Sequence, residues 1–496
     1  MFKKIPQPLT ILVLIIVVAA ALTWILPAGR YSTLTYRDKS FTVTSPSGEK
    51  ALPFTQQTLD SLHILVKLTS FGNGDIRKPV SIPGTYQKLP GNRQGIVNIV
   101  EAPLKGIYDT IDIILFVLVI GGFIGVFYSS GAMEKGLAYL SYKMAGREGW
   151  LIIILTFLFS FGGTSYGMAE EGIAFYPILV PLFLAAGYDL IVPVAVIFGG
   201  TQLGTLSSFS NPFSTITASN AAGINWADGI YGRLLLFVVS TGIFTGYVLK
   251  YAGKVKKDPT ASFVYRFDGV VKPHFPAYIS GTAVPKPDGR TNLLLALFLV
   301  TFLVMIGGVV FLDWWLLEMS AVFVISAIIV AMITRLSEKQ FLEKFIKGAQ
   351  ELLGVVFIIG VARGITIILN EGTISDSIIY GSVQLVDSMP SSLFIIMLLV
   401  LFMVFTLFIS SSSGMAVVTM PIIGSLAIMI GVPGREIVNS YLYGMGIMGL
   451  ITPAGLILPS LALANVNLKA WLRFIWPFMV IIFLVCVVFL LVGIRL

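Results

Sequence analysis

Charged residues and cysteine are both scarce in this chain of 496 residues. Asp, Glu, Lys and Arg make up 12% of it, whereas an average soluble domain has about 25%, so the chain cannot cover itself with a water-soluble surface. Its one cysteine, Cys486, excludes an intramolecular disulfide and a cysteine-based metal site. The sequence also lacks a phosphate-binding loop, a metal-ligand cluster and a nucleophile with its base. We therefore expect neither an enzyme nor a bound cofactor.

Long apolar runs are what the chain has instead. Hydrophobic residues form 56% of it, and runs of about 20 residues with almost no charge recur, which is the helix length that crosses a hydrocarbon core. The sequence therefore predicts an all-α integral membrane protein that is multi-pass in the cell membrane, the inner membrane in a bacterium. The clearest runs are 9 to 26, 111 to 128, 230 to 249, 293 to 312, 316 to 334, 353 to 369 and 474 to 493.

The net charge of +8 follows the predicted topology. Basic residues lie at the ends of the runs and form no single patch, which argues against nucleic acid as a partner. Lys3 and Lys4, the stretch 250 to 290 and the stretch 335 to 347 fall on one side when the spans are counted, so the N-terminus is predicted to be cytoplasmic. The extracytoplasmic segment then contains 31 to 44, whose alternation predicts a small β-hairpin.

The two halves of the chain carry the same landmarks in the same order. Each has a span, a glycine, an amphipathic stretch, an apolar run that ends in a small polar motif, a proline break and a tryptophan before a last span. Matched landmarks lie about 240 to 250 positions apart. The halves run in opposite directions, which predicts two inverted repeats with a binding site between them near the membrane midplane. The matched motifs are Ser165-Tyr166-Gly167-Met168-Ala169 with Ser412-Ser413-Gly414-Met415-Ala416, Pro212 with Pro453, and Trp226 with Trp471.

These landmarks divide the chain into six predicted segments. Within the repeats, we expect re-entrant hairpins at about 150–187 and 391–430, and broken helices at about 190–222 and 437–464. Two pairs of ordinary kinked helices are the alternative interpretation of the hairpins. The segments are a first transmembrane helix at 1–28, an extracytoplasmic segment at 29–108 ending in an interfacial helix, repeat 1 at 109–250, a cytoplasmic loop at 251–292, a linking transmembrane helix at 293–312 and repeat 2 at 313–496.

Polar side chains gather at the hairpin tips and at the proline breaks. Irregular backbone at membrane depth is tolerated where protein or a water-filled cavity satisfies its amides, and freed carbonyls beside hydroxyl and amide oxygens are suited to a cation. We expect the substrate to contact Ser165, Glu170, Glu171, Asn211, Arg363, Ser412, Ser413 and Thr452. We expect a coupling ion, sodium or a proton, among Thr164, Ser210, Asn211, Ser411 and Thr452.

Charges in the middle of apolar segments indicate function most directly. Arg363 lies in the centre of a span, where a charge costs roughly 2.5 to 3.5 kcal/mol. Three interpretations are open. Arg363 grips a substrate carboxylate while Glu170 or Glu171 holds an ammonium group; Arg363 and one glutamate form a structural ion pair; or the glutamate pair binds a proton or sodium. In repeat 2 the glutamate positions are Val417 and Val418, so this chemistry is asymmetric.

Several motifs together resemble the YfcC group of the C4-dicarboxylate carrier and arginine/ornithine antiporter families. They are Gly167 to Pro177, Ala186 to Asp189, Ser210 to Phe213, Gly360 to Arg363, Ser412 to Ala416 and Leu450 to Pro453. The resemblance runs from about residue 95 to the C-terminus. It implies the fold of the ion transporter superfamily, a homodimer, an elevator-type transport domain, and a substrate among basic amino acids, dicarboxylates or related acids.

Secondary transport of a small charged solute is the predicted function. A channel would show repeated pore-lining charges and a symmetric filter, whereas here the acidic pair and the arginine occupy inequivalent repeat positions. An acidic pair with one arginine suits a zwitterion that carries an extra positive group. We therefore expect exchange or ion-coupled transport of a basic amino acid, with a C4-dicarboxylate or another carboxylate as the alternative.

Overall fold

A computed structural model gives the fold of most of the chain. It describes residues 8–37, 40–46, 48–64, 66–72, 79–143, 147–165, 167–268, 286–312, 314–386, 390–409, 411–430 and 432–495. Some residues used in the sequence predictions lie outside these ranges, namely Lys3, Lys4, Tyr166 and the centre of the 251–292 loop.

The chain begins with an apolar helix, α1 (Pro8–Ile25), and continues into a small β-structure that we call the sheet domain, residues 29–88. It contains β1 (Gly29–Arg30), β2 (Thr33–Arg37), β3 (Ser40–Ser45), β4 (Gly48–Pro53), α2 (Gln56–Ser61), α3 (Leu68–Gly72), β5 (Val80–Ser81) and β6 (Gln87–Lys88). The four central strands are antiparallel in the order β4-β3-β2-β5, and β1 pairs with β6.

The sheet domain confirms one sequence prediction and corrects another. Thr33 pairs with Thr44 and Arg37 with Ser40, so the hairpin predicted over 31 to 44 is present as β2 and β3. The all-α class is wrong in this part of the chain. Alternating β-branched and aromatic residues here favour strands over a helix, and the resulting sheet buries Leu34 and Phe41 completely.

The rest of the chain is helical. After the sheet domain come α4 (Ile96–Asp109), α5 (Ile111–Tyr128), α6 (Ala132–Lys143), α7 (Gly149–Ser165), a 3₁₀ segment (Glu170–Phe175), α8 (Tyr176–Ala185), α9 (Ile191–Val194), a π-helical turn (Ala195–Gly199), α10 (Gly200–Leu206), a second π-helical turn (Pro212–Ile216), α11 (Thr217–Ala221), α12 (Ile230–Lys257), a 3₁₀ turn (Pro259–Ala261) and α13 (Phe263–Asp268).

The second half continues with helices of similar order. They are α14 (Gly289–Leu312), α15 (Leu316–Thr334), α16 (Glu338–Glu351), α17 (Leu353–Glu371), α18 (Ser375–Val386), α19 (Ser391–Phe408), α20 (Ser412–Ile430), α21 (Gly434–Gly449), α22 (Ile457–Ala464) and α23 (Leu468–Gly493).

Six of the described helices are long and apolar enough to cross a membrane: α5, α12, α15, α17, α19 and α23. Among them, α19 is the first arm of the hairpin predicted at 391–430. Its 18 residues would extend about 27 Å. The described helices therefore make this a multi-pass membrane protein by length and composition.

Helices of the two halves pack crosswise through glycine. Helix α4 lies along α17 and α16 lies along α5. A Cβ placed on Gly106 of α4 would be 2.1 Å from the carbonyl oxygen of Gly360, and one on Gly121 of α5 would be 2.7 Å from that of Gly348. Only glycine permits such a close approach of two backbones. Each half therefore supplies the packing surface that the other half needs.

Candidate functional site

The first candidate region joins the end of α7 to the break between α10 and α11. Thr164, near the end of α7, donates from Oγ1 to the carbonyl oxygen of Ser207 at 3.0 Å and accepts from the backbone N–H of Phe209 at 3.2 Å. It is completely buried. Both bonds satisfy backbone groups that the broken helix leaves unpaired, so Thr164 attaches the hairpin to the break.

Ser210 and Asn211 continue this attachment. Ser210 donates from Oγ to the carbonyl oxygen of Ser165 at 3.1 Å. Asn211 donates from Nδ2 to the carbonyl oxygen of Gly163 at 3.0 Å, and its Oδ1 accepts from the backbone N–H groups of Phe213 and Ser214 at 2.9 and 3.2 Å. The structure thus brings together Thr164, Ser165, Ser210 and Asn211. Asn211 acts as a helix N-cap, with its amide oxygen occupied by two donors.

Glycine sets the distance between the hairpin and the broken helix. A Cβ on Gly204 of α10 would be 2.1 Å from the carbonyl oxygen of Ser160, and one on Gly163 would be 2.3 Å from that of Thr201. Gly167, just after α7, has a φ of +85°, in the left-handed region that favours glycine. The hairpin bends there and then lies against Asn211.

The second candidate region joins the hairpin of α19 and α20 to the break between α21 and α22, again through hydrogen bonds from side-chain hydroxyls to backbone carbonyl oxygens. Thr452, at the break between α21 and α22, donates to the carbonyl oxygen of Thr406 in α19 at 3.1 Å. Tyr441 donates from its hydroxyl to the carbonyl oxygen of Ser412 at 2.8 Å. Ser411 accepts at Oγ from the backbone N–H of Gly414 at 3.1 Å, which closes the turn into α20. The hydroxyl-bearing residues Ser412 and Ser413 are partly exposed at the start of α20.

The two broken helices lie directly against each other. A Cβ on Gly446 of α21 would be 2.3 Å from the Cβ of Leu206, and one on Gly449 would be 2.4 Å from Oε1 of Gln202 in α10. Further contacts between the halves join α11 to α20 and α22 to α8. The predicted residues of both hairpins and both breaks therefore lie in one packed unit.

The two glutamates of the first hairpin occupy different environments. Glu171 is 7% exposed, and its carboxylate accepts from the backbone N–H of Ala169 at 2.9 Å. Glu170 is partly exposed and lies within electrostatic range of Asp112, in the first turn of α5. Helix α5 also packs against the 3₁₀ segment that carries both glutamates. The acidic pair therefore faces the neighbouring helix α5 and a third carboxylate.

Arg363 does not pair with either glutamate. Its Nε donates to Oδ2 of Asp109, at the end of α4, in an ion pair whose side chains are 30% and 46% exposed. The interpretation that joined Arg363 to Glu170 or Glu171 in a structural pair is therefore wrong about the partner. The physical reason is that α4 packs along α17 and so brings its last residue to the middle of that helix.

Sequence reasoning missed Asp109 and Asp112. Both lie where an amphipathic helix meets an apolar span, a place where charged residues usually mark the water boundary. The role of Asp109 as the partner of Arg363 can be recognised only once α4 is known to lie along α17.

No cluster of three or more His, Cys, Asp or Glu side chains that would hold a metal ion occurs in the described ranges. The oxygens near the first break are carbonyls and hydroxyls such as those of Thr164 and Ser208, most of them already hydrogen-bonded. A cation at this break would have to rely on carbonyl oxygens more than on side chains.

A chain of apolar spans in which two helical hairpins pack against two broken helices belongs to the class of membrane transport proteins. Comparison with known families gives the particular one. Residues 5–495 match the model of DcuC, the C4-dicarboxylate anaerobic carrier, and the chain belongs to this family. The family resemblance predicted from the motifs is confirmed, and with it the assignment as a secondary transporter.

Two relatives extend over nearly the whole chain. A protein of Haemophilus influenzae (strain ATCC 51907 / DSM 11121 / KW20 / Rd), without an assigned function, is 39% identical over 99% of this chain and 97% of its own length. YfcC of Escherichia coli (strain K12), provisionally named as a basic amino acid antiporter, is 25% identical over 94% of this chain and 92% of its own.

Two solved structures are similar at lower levels. The YdaH transporter of Alcanivorax borkumensis has a TM-score of 0.39 with 14% identity, over 98% of both chains. MtrF of Neisseria gonorrhoeae, described among antimetabolite efflux pumps, has a TM-score of 0.40 with 14% identity, over 100% of this chain and 96% of the other.

Proposed function

We propose that this protein exchanges or cotransports a basic amino acid across the cell membrane. The observation that carries the proposal is the acidic pair at the first hairpin. None of the ion pairs among the described residues involves Glu170 or Glu171, whereas Arg363 is already paired with Asp109. A buried carboxylate without a cationic partner, such as Glu171, favours a ligand that brings its own positive charge.

The proposal includes two inverted repeats, 109–250 and 313–496, in which each hairpin is re-entrant and packs beside a broken helix. The matching order of helices and the crosswise packing of α4 on α17 and α16 on α5 support it. Elevator-type movement of the packed unit of hairpins and breaks, a homodimer, and a proton or sodium as coupling ion complete the proposal. The cytoplasmic N-terminus rests on the distribution of basic residues.

The provisional name of YfcC supports a basic amino acid. The family description supports the alternative, a C4-dicarboxylate. A dicarboxylate would need cationic contacts or a protonated acidic pair at this site, so the two substrates make opposite demands on Glu170 and Glu171.

Exchange in proteoliposomes tests whether the substrate is a basic amino acid or a dicarboxylate. Vesicles preloaded with L-arginine or with succinate are given the radioactive form of each, with and without imposed sodium and proton gradients. We expect saturable arginine uptake that internal arginine stimulates. Because a hydrogen bond to a charged group is worth about 1.5 to 3 kcal/mol, Glu170→Gln or Glu171→Gln should lower arginine uptake at low concentration by about 10 to 100-fold.

Glu318→Gln is the matched control, because Glu318 is exposed and, among the described residues, its side chain accepts from the backbone N–H of Trp315 alone. It should transport normally. Full arginine uptake in both hairpin variants would refute the assignment of a basic amino acid as the substrate. Saturable succinate exchange that arginine does not inhibit would favour a dicarboxylate as the substrate. Uptake that rises linearly with concentration and shows no stimulation from inside would indicate a channel.

A further inference from the structure

The sheet domain shares its apolar core with the second hairpin. Its buried side chains include Leu34, Phe41 and Leu59, and the same cluster contains Val417 of α20, which is 2% exposed. Val418 packs against the cluster from the side. These two valines occupy the positions that Glu170 and Glu171 hold in the first half. The two hairpins therefore differ at these positions: the second hairpin packs against the sheet domain there, whereas the first hairpin carries an acidic pair.

The same domain is attached more firmly elsewhere. The backbone N–H of Gly29 donates to the carbonyl oxygen of Thr373 at 2.9 Å, and that of Tyr31 donates to Oδ2 of Asp376 at 2.9 Å. The ring of Tyr86 stacks on that of Tyr380 with centroids 4.0 Å apart. Both chain connections of the domain, α1 and α4, pack along α17. The domain is thus fixed to α18 and the turn before it through hydrogen bonds and ring stacking, and it is held near α17 by α1 and α4, the helices to which it is covalently joined.

The contact with the hairpin is of another kind. Among the described residues it includes β5 against α20, and Val417 and Val418 supply apolar side chains to it. Apolar contact is non-directional, so it can separate and re-form without the geometric demands of hydrogen bonds. Val417 lies only five positions after Ser412, where α20 begins, or about 8 Å along the helix. The sheet domain therefore covers the second hairpin close to its tip.

We propose that the sheet domain is a releasable clamp: it stays fixed to α18 and the turn before it and separates from Val417 and Val418 during each transport cycle. The proposal rests on the proposed function, because a transporter must open its hairpin region to one side at a time. While docked, the domain holds the second hairpin against the α17 side. Release is required before the packed unit of hairpins and breaks changes position.

Cysteine labelling measures the release directly. Cys486 is the single cysteine and is completely buried, so Cys486→Ser gives a background without thiols. Val417→Cys in this background reports separation from the hairpin. Val66→Cys, at a completely buried position in the same core, is the matched control, because Val66 belongs to the sheet domain and its labelling reports opening of the domain itself. Lys50→Cys, at an exposed position, gives the unhindered rate.

Intact proteoliposomes receive a membrane-impermeant maleimide on the side of the sheet domain, with L-arginine, with succinate or with neither. Because local opening needs less free energy than unfolding of the domain, Val417→Cys should react at least about tenfold faster than Val66→Cys, a factor equivalent to about 1.4 kcal/mol. A transported solute should raise the rate at Val417→Cys and leave Val66→Cys unchanged. Equal labelling of the two variants, or no labelling at Val417→Cys during transport, would overturn the clamp.

A second experiment crosslinks the sheet domain to the second hairpin with an engineered disulfide. Val80→Cys on β5 combined with Val417→Cys places two thiols in one cluster. Oxidation should stop exchange while solute still raises the thermal stability of the protein, and reduction should restore exchange. Unchanged exchange in the crosslinked protein would show that no separation occurs. If neither solute is transported by any variant, the proposed substrates fail, whereas the comparison of Val417→Cys with Val66→Cys still decides the clamp.

Discussion

Replacement of Gly204 by alanine tests whether the close contact between α7 and α10 holds the first candidate region together. The added Cβ would be 2.1 Å from the carbonyl oxygen of Ser160 and 2.7 Å from the backbone nitrogen of Thr164. Ordinary contacts to a Cβ are at least 3.4 Å, so the helices must move apart by more than about 1 Å. The bond of Thr164 to Ser207, now 3.0 Å, would then exceed hydrogen-bonding distance.

Three effects determine how much Gly204→Ala changes the free energy of unfolding. Overpacking costs about 1 to 3 kcal/mol, each lost hydrogen bond costs about 1 kcal/mol, and alanine favours a helix interior over glycine by up to about 1 kcal/mol. We expect Gly204→Ala to lower the free energy of unfolding by about 1 to 3 kcal/mol. Its match is Gly242→Ala in α12, where an added Cβ meets nothing within 4 Å. That variant should be as stable as the wild type or more stable.

Denaturant titration in detergent micelles, followed by circular dichroism, measures both variants. Solute protection against heat, measured on the same samples, reports whether the site survives. The reasoning would be refuted if Gly204→Ala were as stable as Gly242→Ala, because the backbone contact would then be adaptable and would not set the geometry of the hairpin.

Two further predictions concern charged groups. In a double-mutant cycle of Arg363→Gln and Asp109→Asn, we expect a coupling energy of about 0.2 to 1 kcal/mol, because the pair is partly exposed; loss of solute protection in Arg363→Gln alone, with Asp109→Asn unaffected, would instead make Arg363 a solute ligand. The hydroxyl and backbone N–H of Thr260 lower the pKa of Asp258, which follows α12. A lowered pKa in the folded state means that the stabilisation is present above the unfolded value of about 3.9 and disappears as the pH falls through the folded value. Asp258→Asn should therefore be slightly less stable than the wild type at pH 7, and thermal denaturation should show this difference vanish in acid; a difference that persists there would exclude the proposed cause.

Much of the helical framework could be predicted from the sequence because hydropathy and proline act locally. The run 111 to 128 became α5 with the same limits, and the break before Pro212 lies between α10 and α11. The grouping of Thr164, Ser165, Ser210 and Asn211 also followed from the pattern of polar residues at hairpin and break.

Other features depend on packing between distant parts and had no local signal. The partner of Arg363 is 254 positions away in the sequence, and it was found only because α4 lies along α17. Likewise, the change from Glu170 and Glu171 to Val417 and Val418 was visible in the sequence, but its meaning was not. It became interpretable once the sheet domain was seen to share its core with Val417.

The crosswise glycine contacts also have a consequence for synthesis of the chain. Helix α5 presents Gly121 for a helix that is made much later, since its contact Gly348 follows about 230 positions on. At translation rates of about 5 to 20 residues per second, synthesis of the residues between these two glycines takes roughly 10 to 45 seconds, and α5 lacks its contact with α16 during that time. During that interval its small-residue face must be covered by lipid, by the insertion machinery or by other nascent helices. The first half of the protein is therefore made long before the surfaces that complete it.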